Sequence, residues 1–176
     1  MKMAKDRNPD IKLYGLPWAF PQHVSCNPGT LTNCTNNPYS RPQQTADYIT
    51  SWVTGSKSVY GYDVDYIGSW NERGYDKTYL ETLRATLDAA GFAGTKIVAP
   101  DSGFGGVAAD VNADPVFAKA IWGLGAHYPN MNSGSAAEQT GKQLCTFNAH
   151  NAAPARCARN CDPNYPKPDP TRAPRP

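Results

Sequence analysis

Residues 62–72 read YDVDYIGSWNE. The stretch alternates at first and then runs apolar through Val64, Tyr66, Ile67 and Trp70, the pattern of a strand buried on both faces. A strand of that kind belongs to a parallel sheet, whose faces are covered by crossover helices. It stops at a polar pair, Asn71-Glu72.

The segments on either side follow the same logic. Downstream, DKTYLETLRATLDAAG (76–91) sets Tyr79, Leu80, Leu83 and Leu87 at helical spacing, with Asp76 as N-cap and Gly91 at the far end. TKIVAP (95–100) is the next strand and stops at Asp101-Ser102. Asp114-Pro115 then opens a helix of Val116, Phe117, Ala120 and Ile121, and GLGAHYP (123–129) is a fourth strand ending at His127. Upstream, TADYITSWVTGSKSVYG (45–61) places Tyr48, Ile49, Trp52 and Val53 on one helical stripe and closes at a glycine. IKLYGLPWAFP (11–21) begins as a short strand and ends in Pro-rich loop, after a helix end at Met1 to Arg7 that Asn8-Pro9 stops. Strands and helices alternate along the chain, which implies a parallel sheet, either open and doubly wound or a (β/α)₈ barrel.

The connections carry the chemistry. No phosphate-binding glycine motif follows a strand, and GFGG (103–106) reads as loop, so nothing calls for a nucleotide or any other cofactor. QHVSCNPGTLTNCTNNPYSRP (22–42) is a run of turn formers, a loop of the length that borders functional faces. Its Cys26 and Cys34 are close enough to form a small disulfide loop, and two free thiols fit the spacing as well. Asn33-Cys34-Thr35 matches the N-glycosylation pattern. After TGKQL, residues 145–176 are rich in Pro and Arg and follow no helical or strand period, so no packed structure is expected there. Cys145, Cys157 and Cys161 in that tail lack the spacing of a zinc site, and no metal is assigned.

Charge excludes some partners. The formal charge is +2, split into −1 over residues 1–144 and +3 beyond, too little to imply nucleic acid. No apolar stretch approaches the roughly 18 residues of a membrane span, and MKMAKDRNPD lacks the apolar core of a signal peptide.

A carboxylate behind a buried strand and beside Trp70 is expected to keep its proton through desolvation, as a general acid requires. Asn71 could then bind a substrate hydroxyl, and Trp18 offers a flat surface to the C–H face of a sugar. Glycoside hydrolysis with retention needs a second carboxylate about 5 Å away. The competing reading pairs Glu72 with Arg73 or another cation in a purely structural role.

The runs RNPDIKLYGLPWAFP, VDYIGSWNERGYD, TKIVAPDS, GLGAHYP and TGKQL, in that order, resemble the catalytic barrel of the galactocerebrosidase (galactosylceramidase) family, glycoside hydrolase family 59. The resemblance covers about Arg7 to Leu144. It implies part of a (β/α)₈ TIM barrel, about strands 3 to 6, at residues 1–144, followed by an irregular tail at 145–176. It also implies a retaining galactosidase, lysosomal or secreted, that removes galactose from galactosylceramide and related sphingolipids, with a lipid-presenting activator protein as a further partner. On this reading Glu72 is the acid/base, Asn71 contacts the sugar and Trp18 lines the galactose pocket. Asp101, Ser102 and His127 match strand-end positions to which no defined role is carried over.

The departures from the family are equally specific. A seventh strand ending in the nucleophilic glutamate should follow TGKQL, yet no Glu occurs after Glu138. The chain is therefore expected to be inactive as it stands, and the break after Leu144 suggests an altered reading frame, a retained intron or a faulty gene model. Two other functions fit the same residues: a non-catalytic module that binds galactosides or glycolipids, and a barrel glycosidase of other specificity, such as a glucosylceramidase-like enzyme.

Overall fold

Tyr66 and Ile67 are buried on opposite faces of a strand that spans Tyr66–Gly68. The structure, a computed structural model, describes residues 1–127 and 134–146. Among these, five strands form one parallel sheet: β1 (Tyr14–Gly15), β2 (Tyr66–Gly68), β3 (Lys96–Val98), β4 (Gly123–Ala126) and β5 (Gln143–Thr146). Their spatial order follows the chain without reversal. A right-handed crossover between each pair therefore sends the intervening helices to one face of the sheet. Those helices are α2 (Pro42–Tyr60), α3 (Lys77–Ala89), α4 (Gly105–Ala113), α5 (Pro115–Ala120) and α6 (Gly134–Gln139), preceded by α1 (Lys2–Arg7).

Burial follows the alternation of the strands. Ile67, Ile97 and Leu124 face the helices and share one core with Ile49, Val53, Leu80, Leu83 and Phe117. Tyr66, Val98 and Cys145 form a smaller cluster on the other face, against Tyr14 and Trp122. Close approach is built in at Gly68, where an added Cβ would run into the Tyr14 hydroxyl and Leu16.

The sequence expectations for α3 hold residue by residue. Tyr79, Leu80, Leu83 and Leu87 are fully buried, and Asp76 Oδ1 accepts the Tyr79 N–H at 2.8 Å. Such a cap stabilises a helix by about 1 kcal/mol. Gly91 ends the segment with φ +84°, in the left-handed region where glycine carries no steric penalty. Asp114 caps α5 in the same way, accepting from Val116 and Phe117 at 2.9 and 3.1 Å.

Four expectations are corrected. In α2 the buried stripe is Ala46, Ile49 and Val53, while Tyr48 and Trp52 sit at its edge, 38% and 39% exposed. Trp52 turns toward β1, where its ring lies against Gly15. Val116 is exposed, because the one turn of α5 directs Phe117 and Ala120 inward instead. GFGG is not all loop: Gly105 and Gly106 open α4, whose Val107, Ala108 and Val111 are buried. Burial of that stripe outweighs the poor helix propensity of glycine, about 1 kcal/mol per residue. The expected boundary at Leu144 falls inside β5, which pairs with β4 from Gly123↔Gln143 to Ala126↔Thr146. The backbone ladder and the buried Cys145 compensate for a stretch whose side-chain pattern is weak. Residues 147–176, the rest of the predicted tail, lie outside the described residues.

Three tyrosines tie the core to pH. Burial pushes the phenols of Tyr39, Tyr75 and Tyr79 well above their ordinary value of 10.0, with the Asp110 carboxylate adding to the effect at Tyr75. A group whose folded pKa is raised stabilises the fold fully below its unfolded value, and that contribution disappears as pH rises through the folded one. Stability is therefore expected to fall once the pH exceeds about 10. Chemical denaturation midpoints at about pH 8 and about pH 11 check this, and equal midpoints would contradict it.

Candidate active site

The C-terminal ends of parallel strands collect the loops that build sites in folds of this kind. Here the loop after β1 and the turn after β2 are tied together by backbone and ring contacts. Asn71 donates its N–H to the Pro17 carbonyl at 2.9 Å, and the Trp70 indole N–H donates to the Trp18 carbonyl at 3.3 Å. Phe20 and Tyr39 meet the Trp70 ring edge-on, each with centroids 5.7 Å away, and the Arg73 guanidinium lies 5.7 Å over it. The turn is also held from the far side, because the Tyr39 hydroxyl donates to the Gly74 carbonyl.

Tyr39 arrives on the 22–42 loop, and the structure settles the thiol question. Cys26 and Cys34 form a disulfide with an S–S distance of 2.02 Å. The Gln44 amide donates to the carbonyls of His23, Val24 and Cys26, which fixes the base of the loop against α2. Asn33 is exposed at the tip. A cavity of about 270 Å³, lined by Phe20, Gln22, Ser25, Asn36 and Trp70 among others, opens between this loop and the β2 turn. A larger hollow of about 690 Å³ beside Lys96, Lys119 and Lys142 lies at the N-terminal ends of β3 to β5, the end of the sheet opposite Glu72.

Glu72 occupies an unusual conformation. Its φ is +53°, a left-handed backbone that costs a non-glycine residue about 1 kcal/mol or more and that among the described residues only Asn33, at φ +48°, shares outside glycine. Asp101, from the end of β3, supplies the restraint: its Oδ2 accepts the Glu72 N–H at 2.8 Å. The same oxygen lies 2.9 Å from His127 Nδ1, at the end of β4. His127 Nε2 in turn is 3.1 Å from Glu72 Oε1. The Asp101 side chain is 1% exposed, that of His127 18% and that of Glu72 50%.

A carboxylate oxygen can only accept, so Nδ1 of His127 carries a proton toward Asp101. The five expected strand-end residues are thus partly brought together. Glu72, Asp101 and His127 form one connected cluster, with Asn71 in the same turn. Ser102 is exposed and joins β3 to β4 only through its backbone bridge to Ala126. Trp18 stands 77% exposed on the β1 loop.

One premise of the sequence argument does not hold. The Glu72 side chain is half exposed and not buried beside Trp70, and His127 is one of the groups that contact its carboxylate. Sequence reasoning also missed Phe20 and Tyr39, the rings that brace Trp70. The run PWAFP carried a signal for the first, and nothing local marked the second.

The model of Glycosyl hydrolase family 59 matches residues 1–167. The chain belongs to that family. Curated relatives agree with the assignment. Galactocerebrosidase from Danio rerio is 44% identical over 144 residues, which make up 82% of this chain and 21% of that protein. The Homo sapiens galactocerebrosidase is 41% identical over 82% of this chain and 20% of its own length. A putative galactocerebrosidase of Caenorhabditis elegans is 29% identical over 80% and 20%. This family 59 chain therefore spans 20–21% of the length of the relatives that it matches. Among the described residues no helix is long and apolar enough to cross a membrane.

Proposed function

We propose that this family 59 chain contributes the acid/base side of a retaining galactosidase that releases galactose from galactosylceramide and related sphingolipids. The observation that carries the reading is Glu72: a half-exposed carboxylate at the end of a parallel strand, held in a left-handed turn by Asp101 and contacted by His127. The sequential, all-parallel sheet is compatible with about half of a (β/α)₈ barrel, whose catalytic groups converge at the strand C-termini. In the first step Glu72 protonates the glycosidic oxygen, and in the second it takes a proton from the water that frees the sugar. Asn71 binds a sugar hydroxyl, and the exposed face of Trp18 lines the galactose pocket.

The nucleophile is assigned to a segment other than those described. Asp101 is the second carboxylate at these strand ends among the described residues, and it is buried and already engaged by two N–H groups. Glu138 lies on α6, which leads to the N-terminal end of β5 and so away from Glu72. The 176 residues alone are accordingly expected to give no turnover. On the strength of its galactocerebrosidase relatives the protein that contains this chain is assigned to the lysosome or the cell exterior, and a lipid-presenting activator partner is part of the same proposal and rests on no comparison.

The test uses the full-length protein on galactosylceramide and glucosylceramide in mixed micelles. Release of galactose with retained configuration, well above release of glucose, is expected. Preference for the glucoside would replace the specificity assigned here. Galactose binding without turnover, abolished by Trp18→Ala and indifferent to Glu72→Gln, would identify a binding module instead.

A further inference from the structure

The 22–42 loop joins an exposed asparagine to a covalent closure. Asn33 stands at its tip, Cys34 follows and is bonded to Cys26, and Thr35 completes the acceptor pattern. We propose that Asn33 is an N-glycan acceptor that is modified only before the Cys26–Cys34 bond closes, so that glycan transfer and loop closure compete for the same segment. The inference rests on the assignment of the protein to the lysosome or the cell exterior, because both reactions belong to the export route.

Burial in the loop leaves room for a glycan. Residues 28–33 are all exposed, whereas Val24, Ser25 and Cys26 at the base are buried. A sugar tree on Asn33 therefore meets solvent and leaves the packed base intact. Closure, by contrast, takes the acceptor pattern out of use. The hydroxyl two residues after the asparagine is bound together with the amide during transfer, which needs a pliable segment. In the closed loop the Thr35 hydroxyl donates to the Asn37 carbonyl at 3.1 Å and lies 2.7 Å from Ser40 Oγ. The Thr35 N–H donates to the Ser25 carbonyl at 3.0 Å, and its own carbonyl accepts from the Ser25 hydroxyl. Cys34, between the two acceptor residues, is tied to Cys26. The order is thus one-way: closure blocks transfer, and transfer leaves closure possible. Cys26 precedes Cys34 by eight residues, so its thiol is already present when Asn33 emerges, and a loop that short closes readily.

Both reactions balance with reactants of the export route. Asn33 Nδ2 attacks the anomeric carbon of an oligosaccharide carried on a lipid diphosphate. An N–C bond forms, the C–O bond to phosphate breaks with its electron pair on the diphosphate, and one amide proton passes to a base of the transferase. In the competing reaction the thiols of Cys26 and Cys34 lose two protons and two electrons to a protein disulfide, which becomes two thiols.

The test expresses the full-length protein in a eukaryotic cell, once as encoded and once behind a supplied export signal, and measures by mass spectrometry the fraction of the 22–42 peptide that carries a glycan. Partial occupancy is expected. It should be lost in Thr35→Ala and in Asn33→Asp, which keeps a residue tolerant of the left-handed backbone at φ +48°. Cys26→Ser leaves the acceptor pattern intact and should raise occupancy to near completion. A permeant thiol reductant present during synthesis should do the same to the parent chain and add nothing to Cys26→Ser. Secreted and retained protein are counted together, so a variant that misfolds still reports. No glycan on Asn33 behind the supplied signal, or equal occupancy with and without Cys26, would overturn the proposal. A glycan found only behind the supplied signal would uphold the acceptor and overturn the location assigned above.

Discussion

Glu72→Gln in the full-length protein is expected to lower kcat/KM on galactosylceramide by about 10² to 10⁴, the usual contribution of a positioned general acid. The side chain keeps its size and can still meet His127, so the fold should be unaffected. What disappears is the proton for the ceramide oxygen in the first step and the base for water in the second. The two losses separate experimentally. A dinitrophenyl galactoside should still be cleaved rapidly to the covalent intermediate, giving a burst followed by slow turnover. Added azide should then restore the steady state, since a small anion attacks the intermediate without needing a base. Loss of the burst together with the steady state would show that Glu72 is not the acid. The left-handed turn matters here, because φ +53° is held by the Asp101 carboxylate together with the Arg73 N–H to Trp70 carbonyl bond that closes the turn. Asp101→Asn is thus expected to disturb the orientation of Glu72 even though it leaves the Glu72 side chain intact.

Phe117→Ala is expected to destabilise the protein by about 3–5 kcal/mol, the range for removing a large aromatic from a packed core. Phe117 is fully buried, stacks on Tyr75 with centroids 5.8 Å apart, and lies under the Lys77 ammonium. It joins α5 to the α3 side of the core, so truncation opens a cavity with aromatic walls. Against a total stability of about 5–15 kcal/mol for a typical domain, such a loss leaves little margin. Denaturant unfolding of the full-length protein measures it. A change below about 1 kcal/mol would mean that the surrounding helices collapse into the space.

The two predictions differ in how early their residues could be recognised. Phe117 stands out in the linear sequence, behind an Asp-Pro cap and in phase with Ala120. The same holds for Leu80, Leu83 and Leu87, because a helix converts spacing directly into a face. β2, β3 and β4 were equally legible, being apolar runs bounded by turn signals. Where the code was weak, the sequence reading fell short. GFGG looks like loop until Val107, Ala108 and Val111 are seen to have a core to enter, and QLCT offers little pattern until β4 supplies a ladder. Tyr48 and Trp52 share a stripe with Ile49 and Val53, but the width of the buried stripe is set by what packs against it.

The site divides along the same line. Sequence alone determined that Asn71, Glu72, Asp101, Ser102 and His127 stand at strand ends, since each follows a readable strand, and left Glu72 between a catalytic and a structural reading. It also determined the disulfide candidates and left their pairing open. Only the tertiary structure decided that Asp101 is the common anchor of Glu72 and His127, that Ser102 is exposed, that Cys26 and Cys34 are joined, and that Glu72 is half exposed. The reason is physical. Periodicity reports which residues leave water, a property of one segment. Contacts between residues 29 and 26 positions apart depend on the register of neighbouring strands, which no single segment encodes.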